Sequence, residues 1–246
     1  MNIKKKVLVF YPPSKLYQRG EDRSQGNVED SSATTMRAPN DLGYASATLR
    51  DKNYEVKLKD YQSENLKFSD LKTDFESFKP DVIFVSITNA TIYDDLSIID
   101  ELLGDNTKTT VIIKGALFFN PDDAMLKLLP LKNVDYLVGG ESDFMLAELI
   151  ETHFEKQENL KNIRGISFKK NGEWIKTDFS TWENDLDSLV FPDRSEIKNK
   201  LYVRPDTGEA QATIVTSRGC PSKCIFCLTP TISGTKLRLR SPENIH

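Results

Sequence analysis

The chain has 246 residues, which is enough for one or two domains with a substantial core. Only 38% of the residues are hydrophobic, and no run approaches the ~18 apolar residues that a membrane-spanning helix needs, so the sequence predicts no membrane span. Lys and Arg total 33 against 37 Asp and Glu, for a formal net charge of −4. This charge is not that of a duplex-binding surface, and we predict no nucleic-acid partner.

Three lysines, Lys4 to Lys6, lie near the amino terminus and are followed by the apolar run Val7 to Tyr11. Pro12 and Pro13 end this run before it reaches the ~7–15 residues of a signal-peptide core. The segment therefore predicts the first strand of a cytoplasmic protein.

Short strand-like runs and helix-period segments alternate over residues 1–155. The runs lie at 4–11, 54–59, 81–87, 109–114 and 134–138. The predicted helices lie at 41–52, 69–78, 93–103 and 142–154, with Asn40 or Asp41 as the cap of the first. Because the third and fourth runs are continuously apolar, both of their faces are expected to be covered. We predict an α/β domain with a flavodoxin-like (Rossmann-like), doubly wound parallel sheet.

The pattern changes after residue 155. Asn171-Gly172 is a strong hairpin signal between strands at 165–170 and 173–177, so residues 156–211 are predicted to form a hairpin and a linker. The linker is expected to be partly ordered by its apolar side chains, Trp182, Leu186, Leu189 and Phe191. A further strand at 212–216 begins the last region, 212–246.

The chain contains only three cysteines, Cys220, Cys224 and Cys227, and they follow this last strand as CxxxCxxC. Three thiolates hold three irons of a cubane cluster and leave the fourth iron open. A zinc site would need a fourth ligand, and neither histidine, His153 or His246, has suitable spacing. Unrelated buried cysteines are the other alternative, which the polar loop disfavours.

This loop resembles the cluster-binding loop of the radical S-adenosylmethionine superfamily. The resemblance implies a 4Fe-4S cluster on the three cysteines and S-adenosylmethionine on the open iron. It also implies that Phe226, the aromatic residue before the third cysteine, lies near the adenine of S-adenosylmethionine.

The first domain lacks a GxGxxG sequence after its first strand, and Tyr11-Pro12-Pro13 stands where a phospho-receiver has acidic residues. Its combination with the cysteine loop resembles the cobalamin-binding subgroup of that superfamily. The matching segments include residues 38–44, 80–83, 86–93, 134–141 and 165–168.

Ligands of open α/β sheets bind at the carboxyl ends of the strands, here the loop from Tyr11 to Asn40 and the loops that follow the third and fourth strands. The resemblance places cobalamin contacts in these loops and in the loop after the fifth strand, at Ser86, Thr88, Thr91, Gly115, Gly140 and Glu141. Ser86, Thr88 and Thr91 have an equal alternative role as caps of the next helix. No histidine precedes His153, so we expect that these loops provide no histidine ligand for cobalt. His153 itself is expected to lie near a helix end, where a cation interacts favourably with the helix dipole.

The resemblance implies an enzyme that cleaves S-adenosylmethionine reductively to methionine and a 5′-deoxyadenosyl radical. With cobalamin, it implies methyl transfer to an unactivated carbon of a small molecule, or a ring-forming or ring-rearranging step. An electron donor such as flavodoxin or ferredoxin is expected. Two alternatives stay open: a radical enzyme whose first domain is a docking module without cobalamin, and a non-catalytic cobalamin- or metal-binding sensor.

Residues 212–246 are too few for a (β/α) barrel, which takes ~250 residues. They end at a helix start, with Ser241 as a cap and Pro242 in the first turn. We therefore expect a truncated barrel start, and a fragment without activity of its own.

Overall fold

The computed structural model describes residues 4–15, 37–105, 108–179, 182–204 and 206–246. The strands are β1 (Lys6–Tyr11), β2 (Glu55–Asp60), β3 (Val82–Ser86), β4 (Thr110–Lys114), β5 (Tyr136–Val138), β6 (Ile166–Lys170), β7 (Glu173–Lys176), β8 (Ser217–Arg218) and β9 (Arg238–Leu239). The α-helices are α1 (Asn40–Asp51), α2 (Phe68–Phe78), α3 (Ile92–Leu103), α4 (Asp123–Leu128), α5 (Leu146–Glu155), α6 (Thr229–Ser233) and α7 (Pro242–Ile245).

A seven-stranded sheet in the order β2-β1-β3-β4-β5-β6-β7 forms the centre of the molecule. Its first five strands are parallel and occur in the predicted flavodoxin-like order. β6 pairs antiparallel with β5, and β7 pairs antiparallel with β6, so the sheet is mixed. The hairpin predicted to lie in a linker is instead the edge of the sheet, because Phe168 pairs with Tyr136 in register.

Helices cover both faces of the sheet, as the continuous apolar strands predict. Val7 and Val9 of β1 pack with α1 and α5, whereas Leu8 and Phe10 pack with α2, α3 and α4. This alternation buries every residue from Val7 to Tyr11. The architecture is thus Rossmann-like α/β, doubly wound over its parallel part.

Two local expectations are wrong. Neither Asn40 nor Asp41 caps α1, because Asn40 is already helical and the cap position is Pro39, which makes no capping hydrogen bond. Residues 212–216 are not a strand, and the short β8 that follows them pairs antiparallel with β9. A parallel barrel strand is therefore not formed. Ser241 does cap α7, since its hydroxyl accepts the Asn244 N–H.

None of the helices in the described ranges combines the length and hydropathy that crossing a bilayer requires.

Candidate functional site

The cysteine loop, residues 219–228, connects β8 to α6. The Cys220 N–H donates to Gly234 O at 3.0 Å, and the Cys227 N–H donates to Cys224 O at 3.2 Å. Cys224 is exposed, Cys220 and Cys227 are partly buried, and Phe226 keeps 88% of its surface exposed. None of the three cysteines is fully buried, and the Cys227 thiol donates to the Thr229 hydroxyl at 3.3 Å.

The described residues contain no group of three His, Cys, Asp or Glu side chains placed to hold one metal ion. A cluster on the three thiols thus requires the loop to close around it. Thiolate is nevertheless the ligand that iron–sulfur clusters prefer, and these three lie within eight positions of the chain. The donor set fits a cluster with one open iron.

Gly219 fixes the entry of the cysteine loop. Its φ is +84°, a conformation that residues with a side chain rarely adopt. A Cβ added there would lie 3.0 Å from the Lys236 carbonyl carbon, still nearer the carbonyl oxygen, and 3.2 Å from Ser233 O. Position 219 therefore requires glycine in this conformation of the loop.

We expect Gly219→Ala to open the cysteine loop without unfolding the sheet, because its clash lies with residues 233 and 236 only. Limited proteolysis with mass spectrometry should show faster cleavage near residue 219. Gly208→Ala is the matched control, since Gly208 has φ +72° but open space around it. Equal cleavage of the two variants would contradict the steric argument.

The carboxyl edge, where β1, β3, β4 and β5 end, carries the residues predicted to contact cobalamin. The Ser86 hydroxyl donates to Asp41 Oδ2 at 2.7 Å, and the Thr91 hydroxyl donates to Asp95 Oδ2 at 2.8 Å. Thr88 donates its backbone N–H to the same Asp95 oxygen at 3.4 Å. Thr88 and Thr91 occupy N-cap positions before α3, but neither side chain makes the capping hydrogen bond that the alternative role requires. Their contacts with Asp95 instead hold the loop against the first turn of α3.

Asp41 is a buried carboxylate that sequence reasoning assigned to a helix cap. Besides Ser86, it accepts a 2.5 Å hydrogen bond from the Tyr11 hydroxyl. Only 3% of Asp41 is exposed, so it ties the end of β1 to the end of β3. Part of the first ligand loop, residues 16–36 between Tyr11 and Asn40, lies outside the described residues.

Gly115 and Gly140 follow β4 and β5, respectively. A Cβ on Gly115 would lie 3.3 Å from Ile87 O, and Gly140 has φ +69°. Glu141, the neighbour of Gly140, makes a bidentate ion pair with Arg238 of β9, with an Nη1–Oε2 distance of 2.8 Å. Glu141 therefore contacts the carboxyl-terminal region of the chain.

A second ion pair joins the same two parts of the molecule. Arg218 Nη2 lies 2.6 Å from Asp143 Oδ2, and the Arg218 guanidinium lies over the rings of Tyr44 and Phe144. Sequence reasoning missed Asp143, Arg218 and Arg238. The sequence offered two signals for the arginines: Arg218 is two residues before Cys220, and Arg238 lies between Leu237 and Leu239.

Two cavities open at this edge. One, of about 310 Å³, is lined by the stacked rings of Phe119 and Trp182 among others. The other, of about 100 Å³, lies between the loop after β5 and β8, and is lined by Lys114, Glu141 and Arg218 among others. Small-molecule pockets typically measure ~300–1,000 Å³, so the first cavity is at the lower end of that range and the second is below it.

His153 lies in the last turn of α5, as expected. Its Nε2 is 2.9 Å from the Thr110 hydroxyl and its Nδ1 is 2.7 Å from the Tyr136 hydroxyl. Burial holds the pKa of His153 below its usual value, despite the opposing effect of Asp135. Since both ring nitrogens are engaged, this histidine has a structural role.

Comparison with known proteins finds solved structures of similar fold. No protein-family model matches the chain. Its structure aligns with TsrM of Kitasatospora setae, described as a radical S-adenosylmethionine methyltransferase, with a TM-score of 0.65 and 17% identity over 98% of this chain. It also aligns with OxsB, described as a cobalamin-dependent S-adenosylmethionine radical enzyme, with a TM-score of 0.71 and 18% identity. The likeness is one of fold.

A curated relative gives a sequence match. It is described as an uncharacterized methyltransferase, PH0819 of Pyrococcus horikoshii, and is 27% identical over 212 residues, or 86% of this chain. The chain spans 45% of this relative, 44% of TsrM and 30% of OxsB. A second TsrM structure, described as containing cobalamin and a [4Fe-4S] cluster, aligns over 99% of this chain with a TM-score of 0.63.

Proposed function

We propose that this chain is part of a radical S-adenosylmethionine enzyme whose 4Fe-4S cluster is held by Cys220, Cys224 and Cys227. The observation that carries the proposal is the exposed three-cysteine loop, anchored at the carboxyl edge of a Rossmann-like sheet. The fold likeness to TsrM and OxsB over nearly the whole chain supports it. When bound there, the cluster supplies an electron to S-adenosylmethionine and so begins radical chemistry on a small-molecule substrate.

The residues of this chain contribute binding and orientation. The three thiolates hold the cluster, and Phe226, with 88% of its surface free, offers a flat apolar face beside the third cysteine for the adenine. The proposed reaction is methyl transfer to an unactivated carbon, or a ring-forming or ring-rearranging step. A flavodoxin or ferredoxin is the proposed electron donor. The likeness to a curated methyltransferase favours methyl transfer.

Anaerobic reconstitution of the 246-residue chain with iron and sulfide tests the proposal. We expect four irons and four acid-labile sulfides per chain, because three thiolates can fill all but one iron site of a cubane. Oxygen should bleach the product, since one iron lacks a protein ligand. Stoichiometric zinc without sulfide, or no bound metal, would refute the cluster assignment.

Cobalamin is the proposed second cofactor, held at the carboxyl edge near Thr88, Gly115 and Gly140. The fold likeness to a TsrM structure described with cobalamin supports this assignment. However, Ser86, Thr91 and Glu141 already have partners within the chain, and the adjoining cavities are small. These contacts favour a second candidate, in which the edge is a docking surface for the cysteine loop and binds no corrin.

Absorbance spectroscopy with hydroxocobalamin distinguishes the two candidates. If cobalamin binds, we expect a spectrum without histidine on cobalt, because the described carboxyl-edge loops contain no histidine and both nitrogens of His153 are engaged. A chain that assembles the cluster but binds no cobalamin would establish the docking candidate. A His153→Gln variant should bind as the unaltered chain does, and a spectrum that depends on His153 would contradict the expectation.

A further inference from the structure

Two buried ion pairs connect the loop after β5 to the strands on either side of the cysteine loop. Arg238 pairs with Glu141, and Arg218 pairs with Asp143. The four side chains expose between 1% and 8% of their surface, so water screens neither pair appreciably. These contacts differ from the chain's surface ion pairs, such as Lys176–Asp123, in which the aspartate is 77% exposed.

The strand pair that closes the cysteine loop brings two like charges together. Arg218 and Arg238 are direct partners in the antiparallel register of β8 and β9. Like charges opposite one another destabilise a strand pair, and two strands of two residues have little stability of their own. Glu141 faces both arginines, since its Oε2 also lies 3.8 Å from Arg218 Nη1. The carboxylates therefore supply the negative charge that allows the two arginines of this strand pair to lie opposite one another.

The same arginines contact the segments that precede and follow the cysteine loop. Arg218 is two residues before Cys220, and Arg238 Nη2 donates to Ser233 O, at the end of the helix α6 that follows the loop, at 2.8 Å. Arg238 Nη1 also donates to Glu183 O at 2.6 Å. Guanidinium groups are planar and bind carboxylates in a fixed direction, so these contacts set orientation as well as distance.

We propose that Glu141 and Asp143 are positioning residues that hold the cysteine loop at a fixed place and orientation against the carboxyl edge of the sheet. We call the two ion pairs formed by Glu141, Asp143, Arg218 and Arg238 the latch. Buried ion pairs add little net stability compared with apolar packing, but removing one partner leaves a buried charge unpaired. The latch thus specifies one arrangement of the loop. Its catalytic relevance rests on the proposed function, whereas the positioning itself does not.

Hydrogen exchange of the 246-residue chain measures the positioning directly. The amides to follow are Cys220 and Arg240, which donate to Gly234 O and Thr216 O. In Glu141→Gln and Asp143→Asn variants, we expect their exchange to accelerate about a hundredfold, because a buried arginine loses its counterion. Amides of β3, in the centre of the sheet, should exchange at an unchanged rate.

Asp123→Asn is the matched control, because it removes a carboxylate from an exposed ion pair with Lys176. It should leave the exchange of Cys220 and Arg240 unaltered. Unchanged exchange in both latch variants would overturn the proposal. Equal acceleration in β3 would do the same, since the acidic residues would then be general determinants of folding.

A double-mutant cycle adds a measurement that remains informative if one variant is poorly folded. The double variant Glu141→Gln, Arg238→Met should accelerate the exchange of the Cys220 amide by less than the combined effect of the two single variants. The reason is that Arg238→Met removes the charge that Glu141→Gln leaves unpaired. Additive effects on Cys220 exchange would overturn the direct coupling.

The reduction potential of the reconstituted cluster provides the readout of position. We expect it to shift in Glu141→Gln and to be unchanged in Asp123→Asn, because solvent exposure and nearby charges set cluster potentials. An unaltered potential in Glu141→Gln, together with unaltered exchange, would refute the role of the latch. If the unaltered chain assembles no cluster, the proposed function fails, and the exchange experiment still decides the positioning.

Discussion

Replacing any one of Cys220, Cys224 and Cys227 by alanine should abolish the 4Fe-4S cluster and leave the sheet folded. The chain has no other cysteine that could replace a lost ligand, so each thiolate is required for its own iron. Cys224 is exposed, and Cys220 and Cys227 are only partly buried in a loop outside the sheet, so each substitution is expected to change the stability by about 1 kcal/mol or less. Iron and sulfide analysis after anaerobic reconstitution, with far-ultraviolet circular dichroism, measures both outcomes.

Ser222→Ala is the control for this experiment, since Ser222 lies in the same exposed loop and is not a proposed ligand. It should retain the full iron and sulfide content. A cysteine variant that keeps four irons would show that the corresponding thiol is not a ligand. Loss of the cluster in Ser222→Ala as well would indicate sensitivity of the loop rather than ligation.

Gly139→Ala should have the largest effect on the stability of the sheet. Gly139 follows β5, and a Cβ there would lie 2.5 Å from Phe119 N and 2.6 Å from the Phe118 carbonyl carbon. Both atoms belong to the backbone, so no side-chain rotation relieves the clash, and the ends of β4 and β5 must separate. We expect a loss of about 3 kcal/mol or more, equivalent to a fall of about 6–12 °C in Tm.

Gly172→Ala, in the turn between β6 and β7, is the control for this experiment. It distinguishes the steric clash of an added Cβ from the strain of placing alanine in a left-handed backbone conformation. Gly172 has φ +83° but nothing within 4 Å of an added Cβ, so only the left-handed backbone is penalised. That penalty is about 1–2 kcal/mol. In thermal unfolding followed by circular dichroism, the Tm of Gly139→Ala should therefore be well below the Tm of Gly172→Ala. The reverse order would show that the close approach after β5 relaxes easily.

The sequence by itself predicted the parallel part of the sheet and the principal helices that cover it. The apolar runs of β3 and β4 have no polar alternation, which requires cover on both faces, and the helix-period segments supply that cover. The spacing of the three cysteines likewise predicted a single loop with common chemistry. These features are encoded in neighbouring residues, so short-range patterns are sufficient to find them.

The edge of the sheet and the region beyond it depended on contacts between distant residues. The hairpin at Asn171-Gly172 was recognised, but its attachment to β5 requires pairing across the fold, such as Tyr136 with Phe168. A strand at 212–216 was predicted from its apolar residues, yet Thr213 O instead accepts the side-chain N–H of Asn40, from the start of α1. Local propensity predicted the wrong structure there, because tertiary contacts such as those of Asn40 and Arg194 with Thr213 O override it.

The latch shows most clearly what only the tertiary structure decided. In β9 and its flanks, Arg238 and Arg240 are 5% exposed, whereas Leu237 and Leu239 are 50% and 64% exposed. This order is the opposite of what hydrophobic patterning predicts, since leucine is normally inside and arginine outside. Arg238 can be buried because Glu141, 97 positions earlier in the chain, provides its counterion. A charge becomes an interior group only when its partner is present, and no local pattern in the sequence shows that the two will meet.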